Sequence, residues 1–109
     1  MAYSRIILGV DPGTTVMGFG VIKVSGNKLN CLQLNELKLS KYESHYVRLG
    51  HIYTRTAELI ETHKPDEMAL EAPFFGKNVQ SMLKLGRAQG VAIAAGIAHD
   101  LTVFEFSPR

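Results

Sequence analysis

The sequence predicts one α/β domain built on a mixed five-stranded sheet, in which three antiparallel strands are followed by two parallel strands. Three strand-like segments joined by short turn-forming segments occupy residues 5–39, which is typical of an antiparallel meander. Two helical patterns then alternate with two short apolar strands, as in parallel crossover units. With 109 residues, 46% of them hydrophobic, the chain is long enough for a single domain with a modest core.

The first strand is predicted over residues 5–11, where a short apolar run ends at Asp11 and is followed by a Pro-Gly turn signal. The second strand, 17–24, alternates large apolar residues with Gly18 and Gly20, so that one of its faces allows another group to come close. A hairpin signal at 25–27 leads into the third strand, 29–39. Its alternation changes phase near Asn35-Glu36, which predicts a bulge there.

A helix follows, with Ser44 as the predicted N-cap and Pro65 as its terminator. The fourth strand is predicted over 67–71, the second helix over 79–98 and the fifth strand over 102–106. In the second helix, Gly86, Gly90 and Ala94 recur at intervals of four residues. This small-residue stripe predicts close packing against the sheet or a neighbouring helix, and a second subunit is the alternative partner.

Two carboxylates occupy matching places in this scheme, because Asp11 ends the first strand and Glu71 ends the fourth. If these strands are neighbours, both side chains meet at one edge of the sheet. Paired carboxylates attract Mg²⁺ or Mn²⁺, and two such ions about 4 Å apart support hydrolysis of a phosphodiester. The alternatives are that Asp11 opens a turn and that Glu71 pairs with a nearby Lys or Arg.

The loop after Glu71 adds two aromatic residues and two DNA-type donors. Phe74 and Phe75 beside a metal site favour stacking on bases, although one of them packing under the loop is the alternative. Donors to phosphates and base edges are predicted at Lys77 and Asn78, with Lys84 and Arg87 further along the chain. The four histidines lack ligand spacing and are predicted to be surface or half-buried residues: His45, His51, His63 and His99.

Composition narrows the remaining possibilities. The net charge of +2 is weak support for a nucleic-acid partner. A lone cysteine, Cys31, excludes an internal disulfide and a cysteine-based zinc site. Without a membrane-length apolar run or a signal-peptide pattern, the protein is expected in the cytoplasm. The sequence stops at Arg109, just after an apolar strand, which predicts a domain truncated at its C-terminus.

Three segments together resemble one family. Residues 6–22, which contain Gly-Val-Asp-Pro-Gly-Thr-Thr, residues 69–78, Ala-Leu-Glu-Ala-Pro-Phe-Phe-Gly-Lys-Asn, and residues 83–91 are similar to motifs of the RuvC family of Holliday-junction resolvases, in the same order. The resemblance implies an RNase H-like fold with helices on both sides of the sheet. It implies a homodimer that uses two Mg²⁺ ions per site to nick two opposing strands of a four-way junction, working with the RuvAB branch-migration complex.

The resemblance also assigns roles to residues. Asp11 and Glu71 match the first two catalytic, metal-binding acids of the family. Phe74 matches an aromatic residue that inserts at the junction, and Lys77 and Asn78 match positions near the DNA. The family has two further acidic positions on a C-terminal helix, so these 109 residues are expected to be inactive alone.

Three other functions remain open at the sequence level. The segment Asp-Pro-Gly-Thr-Thr and the glycine-rich hairpin resemble the phosphate loop of actin and sugar-kinase-type phosphotransferases or ATPases. Another RNase H-like nuclease, acting on RNA, is the second alternative. A non-catalytic dimerising module is the third, in which the stripe on the second helix would matter and the acids would not.

Overall fold

The computed structural model describes residues 3–72 and 78–106 of the chain. They form a five-stranded sheet and two helices, namely β1 Ser4–Asp11, β2 Val16–Ser25, β3 Lys28–Lys38, α1 His45–His63, β4 Glu67–Glu71, α2 Val79–Ala98 and β5 Thr102–Phe106. The strand order is β3-β2-β1-β4-β5. Strands β1, β2 and β3 pair antiparallel, whereas β4 pairs parallel with both β1 and β5. The predicted mixed sheet is therefore confirmed, and β1 and β4 are neighbours.

Both helices pack on the same side of the sheet, which we call the covered face. Alternate strand residues point to it and join one hydrophobic core with residues of α1 and α2. The strand members of this core include Leu8, Val10, Met17, Phe19, Val21, Met68 and Leu70, and the helix members include Ile52, Leu59, Ile60, Ala88 and Ala92. This alternation confirms the predicted separation of large apolar residues from glycines along β2.

The opposite side, which we call the open face, carries the remaining strand residues. Over residues 3–72 and 78–106 no helix lies on it, so the expectation of helices on both sides is met on one side only. Large apolar side chains on this face stay in contact with solvent: Leu34 is 80% exposed, Phe104 50% and Phe106 53%. The open face therefore combines glycines, exposed apolar residues and, at one end, the two strand-end carboxylates.

The predicted bulge near Asn35-Glu36 is wrong in position. The register between β2 and β3 shifts between Val21 and Ile22, which places the extra residue at Leu32. The change of phase in the sequence has another cause, because Gln33 and Asn35 point to the covered face. There they hydrogen-bond to the α1 side chains His63 and Arg55, respectively.

Local signals at the turns and helix ends have the predicted effects. Gly26 in the β2–β3 hairpin has a φ of 58°, a left-handed conformation that suits glycine. The Ser44 side chain accepts a hydrogen bond from the Val47 amide and caps α1. Helix α1 ends at a left-handed Lys64, directly before Pro65. No helix in the described ranges is long and apolar enough to cross a bilayer.

The small-residue stripe of α2 does not pack on the sheet. Gly86, Gly90 and Ala94 are exposed, and a Cβ added at either glycine would meet nothing within 4 Å. The glycine that does pack closely is Gly96, where an added Cβ would lie 2.9 Å from the Met68 side chain. Within the part of the chain that the structure describes, the stripe therefore faces solvent.

Candidate active site

The parallel pairing of β1 with β4 brings the two predicted acids together. Val10 pairs with Leu70, so the next residue on each strand, Asp11 and Glu71, lies at the same level. Neighbouring strands are about 4.8 Å apart, and residues at matching positions point to the same side. Asp11 and Glu71 are therefore adjacent residues on neighbouring strands, at the end of the open face.

Apart from Glu71, the described residues around Asp11 on the open face are small, so no large side chains project from the sheet there. Gly18 on β2 pairs with Asp11, and a Cβ added to it would lie 3.5 Å from the Asp11 Cβ and 3.9 Å from its Oδ2. Two residues before Asp11 and Glu71 on their strands, the same face carries Gly9 and Ala69. Since these residues project little or nothing from the sheet, a phosphate or another backbone can come close to the carboxylates.

A tight turn at Gly13 and two hydrogen bonds hold the β1–β2 loop that follows Asp11. A Cβ at Gly13 would collide with the carbonyl oxygen of Val16, so the tight loop requires glycine there. The Leu39 amide donates to the Thr15 carbonyl oxygen at 2.8 Å, and the Arg48 guanidinium donates to the Thr14 carbonyl oxygen at 3.0 Å. These contacts fix the loop beside the C-terminal end of β1.

Glu71 is positioned through its backbone by a residue that sequence reasoning left without a role. The buried side chain of Gln89, on α2, donates from its amide to the Glu71 carbonyl oxygen at 3.4 Å. The next residue, Ala72, donates its amide to the Phe106 carbonyl oxygen at 2.8 Å. The signal in the sequence was a glutamine at the start of the apolar half of the helix. Such a residue tends to be buried, and a buried amide needs a hydrogen-bond partner.

Solvent reaches both strand-end residues, since Asp11 is exposed and Glu71 is half-buried. Neither forms an ion pair with a described Lys, Arg or His. Among the same residues no group of three His, Cys, Asp or Glu side chains is placed to hold a metal. The described part of the chain thus supplies a carboxylate pair, an incomplete but suitable donor set for a divalent cation.

Of the three residues that the family resemblance places near DNA, Phe74 and Lys77 lie outside the described residues. Asn78 is exposed and caps α2, because its side-chain oxygen accepts hydrogen bonds from the amides of Gln80 and Ser81. A contact of this side chain with DNA would have to use its amide nitrogen, the remaining hydrogen-bonding group.

The four histidines are all half-buried, as predicted. His51 stacks on Tyr42 with ring centroids 3.9 Å apart. His63 bonds to Gln33, and His99 lies 2.7 Å from the carbonyl oxygen of Ala95. His45 differs from these three, because its Nε2 atom is enclosed and has no hydrogen-bond partner among the described residues.

Comparisons with known proteins agree on one family. Residues 7–109 match the family model of the crossover junction endodeoxyribonuclease RuvC. The chain is 64% identical over 105 residues to the crossover junction endodeoxyribonuclease RuvC of Christiangramia forsetii, covering 96% of this chain and 55% of that protein. It is 54% identical over 104 residues to the Bacteroides fragilis protein of the same name, covering 95% and 55%. The chain therefore spans about half the length of these relatives.

Solved structures show the same relationship. The RuvC of T. thermophilus in complex with a Holliday junction substrate superposes with a TM-score of 0.88 at 30% identity, covering 94% of this chain and 66% of that one. The yeast mitochondrial Holliday junction resolvase Ydc2 superposes with a TM-score of 0.71 at 13% identity, covering 94% and 50%. The PPX-GPPA enzyme of Aquifex aeolicus reaches 0.57 at 11% identity, covering 97% and 37%. The last two show a shared fold alone.

Proposed function

Because the chain belongs to the RuvC family of crossover junction endodeoxyribonucleases, we propose that the protein resolves four-way DNA junctions by hydrolysing phosphodiester bonds. The observation that carries this proposal is the placement of Asp11 beside Glu71 on an open, glycine-lined sheet face. In this proposal it acts on DNA during recombination and repair, in the cytoplasm.

The carboxylate pair fits a divalent cation. Carboxylate oxygens are hard donors of the kind that Mg²⁺ and Mn²⁺ take. Neither carboxylate forms an ion pair with a described cationic side chain, so within the described ranges no cation competes for their oxygens. We propose that Asp11 and Glu71 hold Mg²⁺, or Mn²⁺ in its place, with two ions per site in the full-length protein. A bound divalent ion would lower the pKa of an attacking water and neutralise charge on the phosphate.

The residues of the chain then have distinct parts. Asp11 and Glu71 supply negative charge at fixed strand ends, so little reorganisation is needed when a phosphate arrives. Gly18 leaves room beside the Asp11 carboxylate. Gln89 holds the backbone of Glu71 from the covered face and acts as a positioning residue.

Three residues are proposed to hold the DNA around the cleaved bond. In the full-length protein Phe74 would stack on a base at the junction, where stacking contributes roughly 1–3 kcal/mol per base. Lys77 would contact a phosphate. Asn78 would donate its side-chain amide, whose oxygen is engaged in capping α2.

We propose that the protein works as a homodimer. Symmetric nicking of two strands needs two active sites, and α2 offers a surface for pairing. Besides the small-residue stripe, this helix exposes three large apolar side chains: Val79 at 74%, Leu83 at 51% and Ile97 at 57%. The RuvAB branch-migration complex is proposed as a partner through the family resemblance.

The test is cleavage of a labelled four-way junction by the full-length protein in Mg²⁺. Asp11→Asn should abolish cleavage and leave junction binding intact, because it removes a metal ligand and no DNA contact. Glu36→Gln is the matched control, since Glu36 lies on the same face, on the far side of Gly18. Equal loss of binding and cleavage in Asp11→Asn, or loss of cleavage in Glu36→Gln, would contradict the assignment.

A further inference from the structure

A cavity lies near the candidate active site, where the β1–β2 loop meets the N-terminal turns of both helices. Its volume is about 320 Å³. We call it the basic pocket, and its lining residues are Thr14, Thr15, Glu43, His45, Arg48, Ser81 and Lys84. Lys84 is predicted from the sequence as a donor to DNA, whereas none of the other lining residues is a proposed metal ligand or DNA contact. The function proposed above gives the pocket as a whole no part.

The basic pocket carries more positive than negative charge. Arg48 and Lys84 line it, and Arg87 is close enough to act electrostatically on His45. None of these three cations forms an ion pair in the part of the chain that the structure describes. Clustered cations without carboxylate partners repel one another, and an anion between them would relieve that repulsion.

The polar groups of the pocket are also those that bind phosphate. Hydroxyl groups of Thr14, Thr15 and Ser81 line it and are potential donors to phosphate oxygens. His45 is the first residue of α1, a helix end that favours negative charge. The enclosed Nε2 atom of His45 lacks a hydrogen-bond partner among the described residues.

The pocket is connected to the candidate active site through the β1–β2 loop. Arg48 donates to the Thr14 carbonyl oxygen at 3.0 Å and to the Tyr42 carbonyl oxygen at 2.6 Å, which ties the β1–β2 loop to α1. Thr14 is three residues after Asp11, so their Cα atoms are at most roughly 11 Å apart. A nucleic-acid strand that contacts both places would need to bridge only this short distance.

We propose that the basic pocket binds a backbone phosphate of the cleaved DNA strand, a few nucleotides from the bond that is hydrolysed. This inference rests on the proposed function and adds a second anchoring point to it. With one phosphate in the pocket and another at the carboxylates, the strand would have a fixed register across the sheet end. The basic pocket would then position the cleavage site without reading the sequence of the DNA.

Glu43 provides an internal check on this assignment. Its carboxylate is exposed at the pocket and opposes an anion there. Replacing it by glutamine leaves the shape of the pocket nearly unchanged and removes one negative charge. Glu43→Gln should therefore strengthen junction binding, whereas a structural role for Glu43 would not predict tighter binding.

The main experiment measures junction affinity against salt concentration, using full-length protein that carries Asp11→Asn so that the DNA stays intact. Each phosphate neutralised by a protein cation contributes about 0.9 to the slope of log affinity against log salt. Lys84→Gln should reduce the slope by about that amount. Lys23→Gln is the matched control, because Lys23 is exposed and pairs with Ile6 toward the opposite end of the sheet. Thermal unfolding verifies that each variant is folded.

A scan with neutral methylphosphonate linkages locates the phosphate. One position near the cleaved bond should weaken binding in the parent protein and lose that effect in Lys84→Gln, because the two changes remove the same interaction. If the losses of affinity caused by the methylphosphonate linkage and by Lys84→Gln are additive at every position, the inference is wrong. Inorganic phosphate bound at the pocket, in the absence of any methylphosphonate-sensitive position, would also overturn it, since that would show a site for free anions.

The outcomes separate this inference from the proposed function. If the parent protein does not bind four-way junctions, the proposed function fails and the pocket assignment fails with it. If the parent binds and Lys84→Gln has the same salt slope as Lys23→Gln, the pocket assignment alone is wrong. His45→Gln and Ser81→Ala repeat the test with uncharged groups of the pocket, and unchanged affinity in both variants would likewise contradict it.

Discussion

At the residue scale, the space beside Asp11 exists because residue 18 is a glycine, which has no side chain. A Cβ at Gly18 would make ordinary van der Waals contact with Asp11, at 3.5 Å from its Cβ, so Gly18→Ala should be tolerated. The further methyl groups in Gly18→Val would press on the carboxylate. We expect Gly18→Val to raise the Mg²⁺ concentration for half-maximal junction cleavage by about tenfold or more, in the range of changes next to metal ligands. Equal Mg²⁺ requirements of both variants would contradict this expectation.

His45 should make the stability of the fold depend on pH. Burial, and then the charges of Arg87, Lys84 and Arg48, hold the pKa of His45 below its ordinary value of 6.5. As the pH falls below about 6.5, the unfolded chain binds a proton at this site before the folded chain does, so the free energy of unfolding decreases. Above that pH both states are neutral at His45 and the effect vanishes.

Urea denaturation between pH 5 and pH 8, about the range in which histidine titrates, measures this effect. His45→Gln should flatten the acid side of the stability profile. His51→Gln is the control, since His51 is stacked on Tyr42 and does not line the basic pocket. A steeper acid limb in His45→Gln than in the parent would show that the sign of the pKa change is wrong.

Single residues could be predicted from sequence where their role follows from position in an element. The adjacency of Asp11 and Glu71 could be predicted because each ends an apolar strand, and the pairing of Val10 with Leu70 places them next to each other. The roles of Gln89 and His45 depend on what other segments bring to them. Gln89 reaches the backbone of β4 from α2, and the basic pocket is assembled from three separate parts of the chain. Spacing along the sequence carries no information about such contacts.

At the element scale, α2 contains an exposed glycine, Gly90, and a closely packed one, Gly96. Gly90→Leu should change the free energy of unfolding by less than about 1 kcal/mol, since nothing lies within 4 Å of an added Cβ and leucine favours the helix. Gly96→Leu should destabilise the fold by about 1–3 kcal/mol or more through overpacking against Met68. Urea denaturation of both variants measures the difference.

The Gly90→Leu variant also tests the proposed dimer. In the full-length protein, Gly90→Leu should shift the sedimentation profile from dimer to monomer, because the leucine would separate two closely packed helices. If Gly90→Leu leaves the dimer intact, the small-residue stripe does not form the subunit interface. If Gly90→Leu unfolds the chain instead, Gly90 is not exposed to solvent.

Element boundaries were predictable where local chemistry sets them. A capping serine, a glycine turn and a proline each act within a few residues, and α1, β4, α2 and β5 begin and end close to the predicted positions. The bulge in β3 was misplaced because polar residues interrupt the apolar pattern of the covered face. Gln33 and Asn35 are accommodated there by hydrogen bonds to α1, a tertiary contact that the strand sequence does not reveal.

At the scale of the whole molecule, the open face should govern how the 109-residue chain behaves alone. We predict that it folds, because all five strands and a continuous core are present, and that it does not cleave junctions, because it supplies two carboxylates to the site. It should self-associate through exposed side chains such as Leu34, Phe104 and Phe106. Light scattering at rising concentration should show association in the parent and less in Phe104→Lys.

The parallel pairing of β1 with β4 also has a consequence for the order of folding. The first three strands are joined by short turns, whereas the backbone amide of Ile6 meets the Asp66 carboxylate across a separation of 60 residues. Contacts between distant residues close later than local ones, because they cost more loop entropy. The antiparallel meander should therefore gain amide protection before β4 docks, in pulse-labelling hydrogen exchange. A chain that folds in this order would carry Asp11 without Glu71 beside it, and would lack the proposed catalytic pair until β4 has docked.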